Sequence, residues 1–197
     1  MSADNLCRPM DPFHKQAPLF AKSYPGDNYT ISIRPFCVST DMELLYGWLE
    51  QQIGMQFWKK DNPRQELLQS YADILASTYS QSLLCLLDDR PACEMDVSQA
   101  PYNEVFMYLD AGKGDYALWL IMSSYVTVRN AYANIVKACL EYLFSFEGPE
   151  RVITYLPAYD EWSNHLLKNA GFEYLDTKQM LSGVVNLYEC RKKRWRK

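Results

Sequence analysis

Leu166-Leu167-Lys168-Asn169-Ala170-Gly171-Phe172 is the stretch from which the fold can be read. A helix carrying two leucines runs into Gly171, the residue type that most readily takes the left-handed conformation closing a helix, and Phe172 opens an extended segment. Upstream, Asp160 or Ser163 can start that helix, and Arg151-Val152-Ile153-Thr154-Tyr155-Leu156 reads as the strand before it. Before the strand comes the clearest helix of the chain. Ile135, Val136, Cys139, Leu140, Leu143 and Phe144 recur at threes and fours, and Gly148-Pro149 stops the pattern. A loop from Ser123 to Asn130 joins it to Tyr116-Ala117-Leu118-Trp119-Leu120-Ile121-Met122, a continuous apolar run of the kind a strand shows when both its faces are covered.

The other half of the chain follows the same grammar. Tyr29 to Phe36 alternates and is predicted as a first strand stopped near Pro35, and Thr40 or Asp41 caps a helix to about Gln52 with Leu44, Leu45, Trp48 and Leu49 on one face. A second helix from about Pro63 to Ser77 carries Leu67, Leu68, Tyr71, Ile74 and Leu75. Asp88-Asp89-Arg90-Pro91 turns the short strand Ser82–Leu87 into an antiparallel one through Ala92 to Val97. The order β-α-α-β-β-β-α-β-α-β predicts an α/β fold with a mixed central sheet and flanking helices. Residues 1–29 have no sustained period and are expected to be an arm laid over the domain or partly disordered. Residues 30–190 form the domain, and 191–197 a basic tail.

With 48% apolar and 22% charged residues, the 197-residue chain has ample apolar surface to offset chain entropy in one core. No window approaches the roughly 18 apolar residues a membrane span needs, and the N-terminus lacks a positive segment followed by an apolar core, so the reading is a cytoplasmic protein with no membrane partner. The six cysteines lack the short paired spacings of a zinc site and read as reduced, structural thiols; no metal is expected. Six of the 20 basic groups sit in the last seven residues, leaving 14 against 24 acidic ones elsewhere. Such an acidic body disfavours nucleic acid, and the tail reads as a solvated terminus unless it meets a polyanion.

The element order and the Ala170-Gly171-Phe172 ending resemble the GNAT superfamily of N-acyltransferases, over about Ile31 to Leu187. More narrowly, Gln56-Phe57-Trp58, Pro91 to Asp96 and Asp115 to Met122 are similar to the siderophore-type acyltransferases, which acylate N-hydroxylysine and related hydroxylamines. The resemblance implies that the fourth and fifth strands, here 116–122 and 151–156, splay apart. It also implies acetyl-coenzyme A or another acyl-coenzyme A as co-substrate. The pantetheine arm would run along Leu120, Ile121 and Met122, and the pyrophosphate would rest on amides of Arg129, Asn130, Ala131, Tyr132, Ala133 and Asn134. A helix N-terminus offers unsatisfied donors at its positive dipole end, so phosphate suits it. Arg129 can add a charge-assisted bond or be an ordinary exposed loop arginine. The implied reaction is direct attack by a small amine or hydroxylamine on the thioester.

Several family positions depart from this pattern. The family's phosphate loop is Arg or Gln, two residues, Gly, one residue, then Gly or Ala; these marked positions fall on Val128, Ala131 and Ala133, and only the last conforms. The strand His and the Glu-Pro-Asp of siderophore-type relatives fall on Trp119 and Tyr155-Leu156-Pro157, and a tyrosine that often protonates the leaving thiolate falls on Leu167. Acyl transfer needs a group to take the amine's proton and a proton source for the thiolate. Glu94 matches a family carboxylate and shares a strand face with Asp96, which makes it the candidate base; Tyr155 is the candidate acid. The alternatives are that both carboxylates are solvated, that Tyr155 is a core or edge residue, and that Trp119 narrows an acyl slot or packs the core. His165 is expected to be solvated, and His14 has no visible partner. There is no Gly-x-Ser-x-Gly elbow, His-Glu-x-x-His or lysine-bearing phosphate loop. The competing expectation is a GNAT-fold ligand-binding or interaction module that has lost acyl transfer.

Overall fold

The computed structural model describes residues 6–51, 64–124, 126 and 131–195; Gln56-Phe57-Trp58, Val128, Arg129 and Asn130 lie outside them. Eight strands make up a mixed sheet. The chain sorts into two compact units, one of residues 7–96 with 120–126 and the other of residues 97–119 with 131–195 and Leu6.

In the first unit, regular structure begins earlier than the sequence pattern predicts. β1 (Phe20–Tyr24) falls inside the expected arm and pairs antiparallel with β2 (Tyr29–Pro35), from Phe20 opposite Ile33 to Tyr24 opposite Tyr29. None of its five residues is fully buried, so backbone pairing rather than an apolar face holds it, and no hydrophobic alternation marks it in the sequence. β2 pairs antiparallel with β3 (Ser80–Leu87). Asp88 and Asp89, both at positive φ (47° and 63°), then make the tight turn into β4 (Arg90–Gln99). The strand order here is β1-β2-β3-β4.

α1 (Val38–Gln51) starts before either expected cap, because Asp41 has another task. Its carboxylate accepts two hydrogen bonds from the buried Arg34 guanidinium, at 2.6 and 2.8 Å, and one from the Cys37 N–H at 2.8 Å. A buried guanidinium requires such a partner, and the bond back to Cys37 sets the first turn. α2 (Arg64–Ala76) buries Leu67, Tyr71 and Leu75, while Leu68 is exposed.

The second unit opens with two 3-10 turns, Ala100–Tyr102 and Glu104–Met107, before β5 (Asp115–Met122), whose last three residues belong to the first unit. α3 (Ala131–Phe144), β6 (Arg151–Pro157), α4 (Glu161–Asn169), β7 (Glu173–Met180) and β8 (Gly183–Arg191) follow, with strand order β5-β6-β8-β7. Asp160 caps α4 by accepting from Ser163 N–H at 3.0 Å. Gly171, at φ 103°, closes the helix as its sequence demands, with Phe172 N–H returning to Leu167 O at 3.0 Å.

The basic tail is not simply solvated. Arg191 ends β8, and Lys192–Trp195 form a last turn, α5. Lys192 is buried with its ammonium donating to Phe146 O, Arg194 pairs with Glu173, and Trp195 lies against the Phe144 ring. A hydrogen-bonded lysine and an anchored indole hold the tail that its charge alone would send into water. All six cysteines are buried thiols. Among the described residues, no helix is long and apolar enough to cross a membrane.

Candidate functional site

β5 and β6 run parallel but pair only briefly. Asp115, Tyr116 and Ala117 stand opposite Arg151, Val152 and Ile153, and the ladder stops there, although β5 continues to Met122 and β6 to Pro157. β6 stays paired with β8 along its whole length. Arg151 clamps the paired end: its Nε donates to Asp115 Oδ1 at 2.9 Å and its Nη1 to Glu189 Oε2 at 3.3 Å. Burial alone would raise the Asp115 carboxyl, but Arg151 and the Gly112 N–H outweigh it and hold it below its ordinary value.

Two residues past the last pair, Trp119 and Tyr155 meet, with ring centroids 5.3 Å apart. Both are half-buried. The Tyr155 hydroxyl donates to Glu104 Oε1 on the second 3-10 turn, a turn fixed by the Asn103 side chain accepting from Val105 N–H at 3.1 Å. Burial first, and then the Glu104 carboxylate, push the Tyr155 phenol well above its ordinary value. It therefore keeps its proton through the neutral range. Giving that proton to a thiolate would leave a tyrosinate beside the Glu104 carboxylate, which opposes the transfer. Glu104 carries no signal in the sequence, because its partner is 51 residues away.

Ala131 is the first residue of α3 and is fully buried. Positive φ among the described residues is confined to Asn28, Asp88, Asp89, Gly171 and Gly183. The backbone at Ala131 thus does not require the glycine that the family pattern has there. In the same first turn, the Tyr132 ring meets the exposed Trp162 edge to face at 5.2 Å. Leu167 is buried, and His165 is exposed as expected. His14 does have a partner: its Nδ1 lies 2.7 Å from Asp11 Oδ2, three residues away in the expected arm.

Glu94 and Asp96 belong to the first unit and are not solvated strand residues. Glu94 is 0% exposed, and its Oε1 accepts from the Ser82 hydroxyl at 2.8 Å. The Tyr71 hydroxyl points at Asp96 Oδ2 from 3.4 Å. Glu94 Oε2 and Asp96 Oδ1 are buried without a hydrogen-bond partner among the described residues. Burial foremost, then the Asp96 charge, raise the Glu94 carboxyl well above its ordinary value, while Asp96 rises less because Glu94, Ser82 and Tyr71 hydrogen-bond to it. Both carboxyls are thus raised by burial, and the two titrate as a pair.

A family model described as an acetyltransferase (GNAT) domain matches residues 38–180. The chain belongs to the GNAT acetyltransferase family. Solved structures similar to this GNAT domain include an uncharacterized protein from Bacillus halodurans, at 16% identity and TM-score 0.79 over 93% of this chain and 96% of that one. Another is aminoglycoside acetyltransferase AAC(6')-Ib in complex with coenzyme A, at 15% identity and TM-score 0.73 over 84% and 97%. A third is a chimera of spermidine N-acetyltransferase SpeG from Vibrio cholerae and hSSAT, at 10% identity and TM-score 0.68 over 84% and 97%. At these identities the likeness is one of fold. No curated protein sequence matches the chain.

Proposed function

We propose that this GNAT domain transfers an acyl group from an acyl-coenzyme A to the nitrogen of a small amine or hydroxylamine, the latter on its likeness to the siderophore-type enzymes. The observation that carries the reading is the end of the β5–β6 ladder at Ala117 and Ile153. On family resemblance, an amide-bearing arm would run past it along Leu120, Ile121 and Met122 of β5 and pair like an added strand. The first-turn amides of Ala131, Tyr132, Ala133 and Asn134 suit a pyrophosphate, with Arg129 and Asn130 added on family resemblance alone. Ala131 fits, since its backbone is ordinary helix and its methyl is buried.

The coenzyme supplies an acyl thioester. The Glu94–Asp96 pair is the candidate base, and Tyr155, with its hydroxyl directed at Glu104, is the candidate acid. A second reading, a ligand-binding module without acyl transfer, is favoured by the full burial of Glu94. Calorimetric titration with acetyl-coenzyme A decides the binding step. Micromolar binding abolished by Ala131→Glu, which drives a charge into the helix start, supports the proposal and justifies screening amine acceptors. No heat and no thermal stabilisation at millimolar coenzyme sinks it. Binding without turnover of any acceptor favours the module.

A further inference from the structure

Each carboxyl of the Glu94–Asp96 pair has one oxygen with a donor and one without. The Ser82 hydroxyl donates to Glu94 Oε1 at 2.8 Å, and the Tyr71 hydroxyl reaches Asp96 Oδ2 from 3.4 Å. Both donors are buried, and Phe36 steadies both: its ring lies 5.0 Å from that of Tyr71, and its N–H donates to Ser82 O at 3.0 Å. Glu94 Oε2 and Asp96 Oδ1 are buried with no hydrogen-bond partner, and among the described residues neither carboxyl makes an ion pair. The titratable groups facing the pair are Tyr71 on α2 and Cys85 on β3, neither of them a cation. Two ionised carboxylates so placed would repel each other and go without the hydration they had in water. One proton removes both costs. A protonated carboxyl is a donor and an ionised one an acceptor, so the two unpartnered oxygens satisfy each other, and the side chains are within hydrogen-bonding reach.

We infer that Ser82 and Tyr71 are positioning residues for this pair: by occupying Glu94 Oε1 and Asp96 Oδ2 they leave Glu94 Oε2 and Asp96 Oδ1 to share a single proton. Neither residue carries a signal in the sequence, since each stands on a different element from the carboxyl it serves, 12 and 25 residues away. The pair's part in catalysis rests on the acyl-transfer reading; the shared proton does not. A pair that holds one proton keeps one negative charge. It can take a second proton from an attacking nitrogen, and that transfer discharges the buried pair instead of adding charge to it.

The test follows the side-chain carboxyl carbons of the isotope-labelled full chain by NMR from about pH 4 to pH 9. In the wild type, Glu94 and Asp96 should shift together at one common upper midpoint, each by only part of a full ionisation change. Ser82→Ala removes a donor that favours the ionised form and should raise that midpoint by about one pH unit, a tenfold gain in proton affinity, whereas Ser82→Thr keeps the hydroxyl and should match the wild type. Tyr71→Phe should raise it by less, because its bond is longer, and carries the same test should Ser82→Ala not fold. A merely structural hydroxyl would change the unfolding midpoint and leave the titration where it was, which overturns the positioning role. Separate midpoints for the two carbons, or one carbon taking the whole change, overturns the shared proton. So does an upper step abolished by potassium or magnesium chloride, which would put a cation where the proton is placed. Calorimetry with coenzyme A is run on the same sample. A shared proton without coenzyme binding keeps the pair and removes its use as a base; coenzyme binding with separate midpoints keeps acyl transfer and removes the pair.

Discussion

Replacing Glu94 with glutamine should flatten the dependence of stability on pH. Glu94 is fully buried, with Ser82 on one oxygen and Asp96 beside it, and its carboxyl is raised well above the ordinary value of 4.5. A raised carboxyl keeps its proton in the native state at pH values where the unfolded chain has released it. Folding then takes up a proton, so its stabilisation is complete below the unfolded value and is lost as pH rises toward the folded one. One proton corresponds to about 1.4 kcal/mol per pH unit. Glutamine has the same shape without the ionisation: its carbonyl can accept from Ser82 and its amide can face Asp96. The variant should match wild type near the ordinary carboxyl value and gain on it by up to about 1.4 kcal/mol for each pH unit above, until Glu94 ionises. The assay is urea unfolding at several values from about pH 5 to pH 8, read as the difference between the two proteins. Asp115, lowered by Arg151, titrates below this window in both. Two curves falling in parallel would refute the reasoning, because Glu94 would then be ionised in the fold and available as a base.

Two further outcomes concern the scaffold. Asp41→Asn leaves the Arg34 guanidinium, 3% exposed, without its charged partner, and should cost about 3–5 kcal/mol, seen as a lower urea midpoint; Asp41→Asn combined with Arg34→Met should recover much of the loss. Gly171→Ala must adopt φ 103° and brings a methyl within 3.1 Å of the Trp195 ring, so its melting temperature should drop by an amount equivalent to about 1–3 kcal/mol, and Trp195→Ala should relieve only the contact.

From Tyr29 to Met180 the order of helices and strands was legible in the sequence, because each element carries its own period and its own stop. Gly171 and the Asp88-Asp89 turn announce backbone conformations that few other residues accept, and both occur where the sequence places them. The six cysteines are buried thiols, as their apolar neighbours suggest. What tertiary structure decided has no local signature. β1 exists because β2 offers an edge to pair with, Asp41 is claimed by Arg34 rather than by a helix cap, and the basic tail is anchored by Phe146, Glu173 and Phe144. The candidate site divides the same way. The sequence named Glu94 and Tyr155 as polar groups at suggestive positions, but their protonation follows from burial and from Asp96 and Glu104. Residue type and spacing set local conformation; desolvation and partners far along the chain set charge, and charge decides what such groups can do.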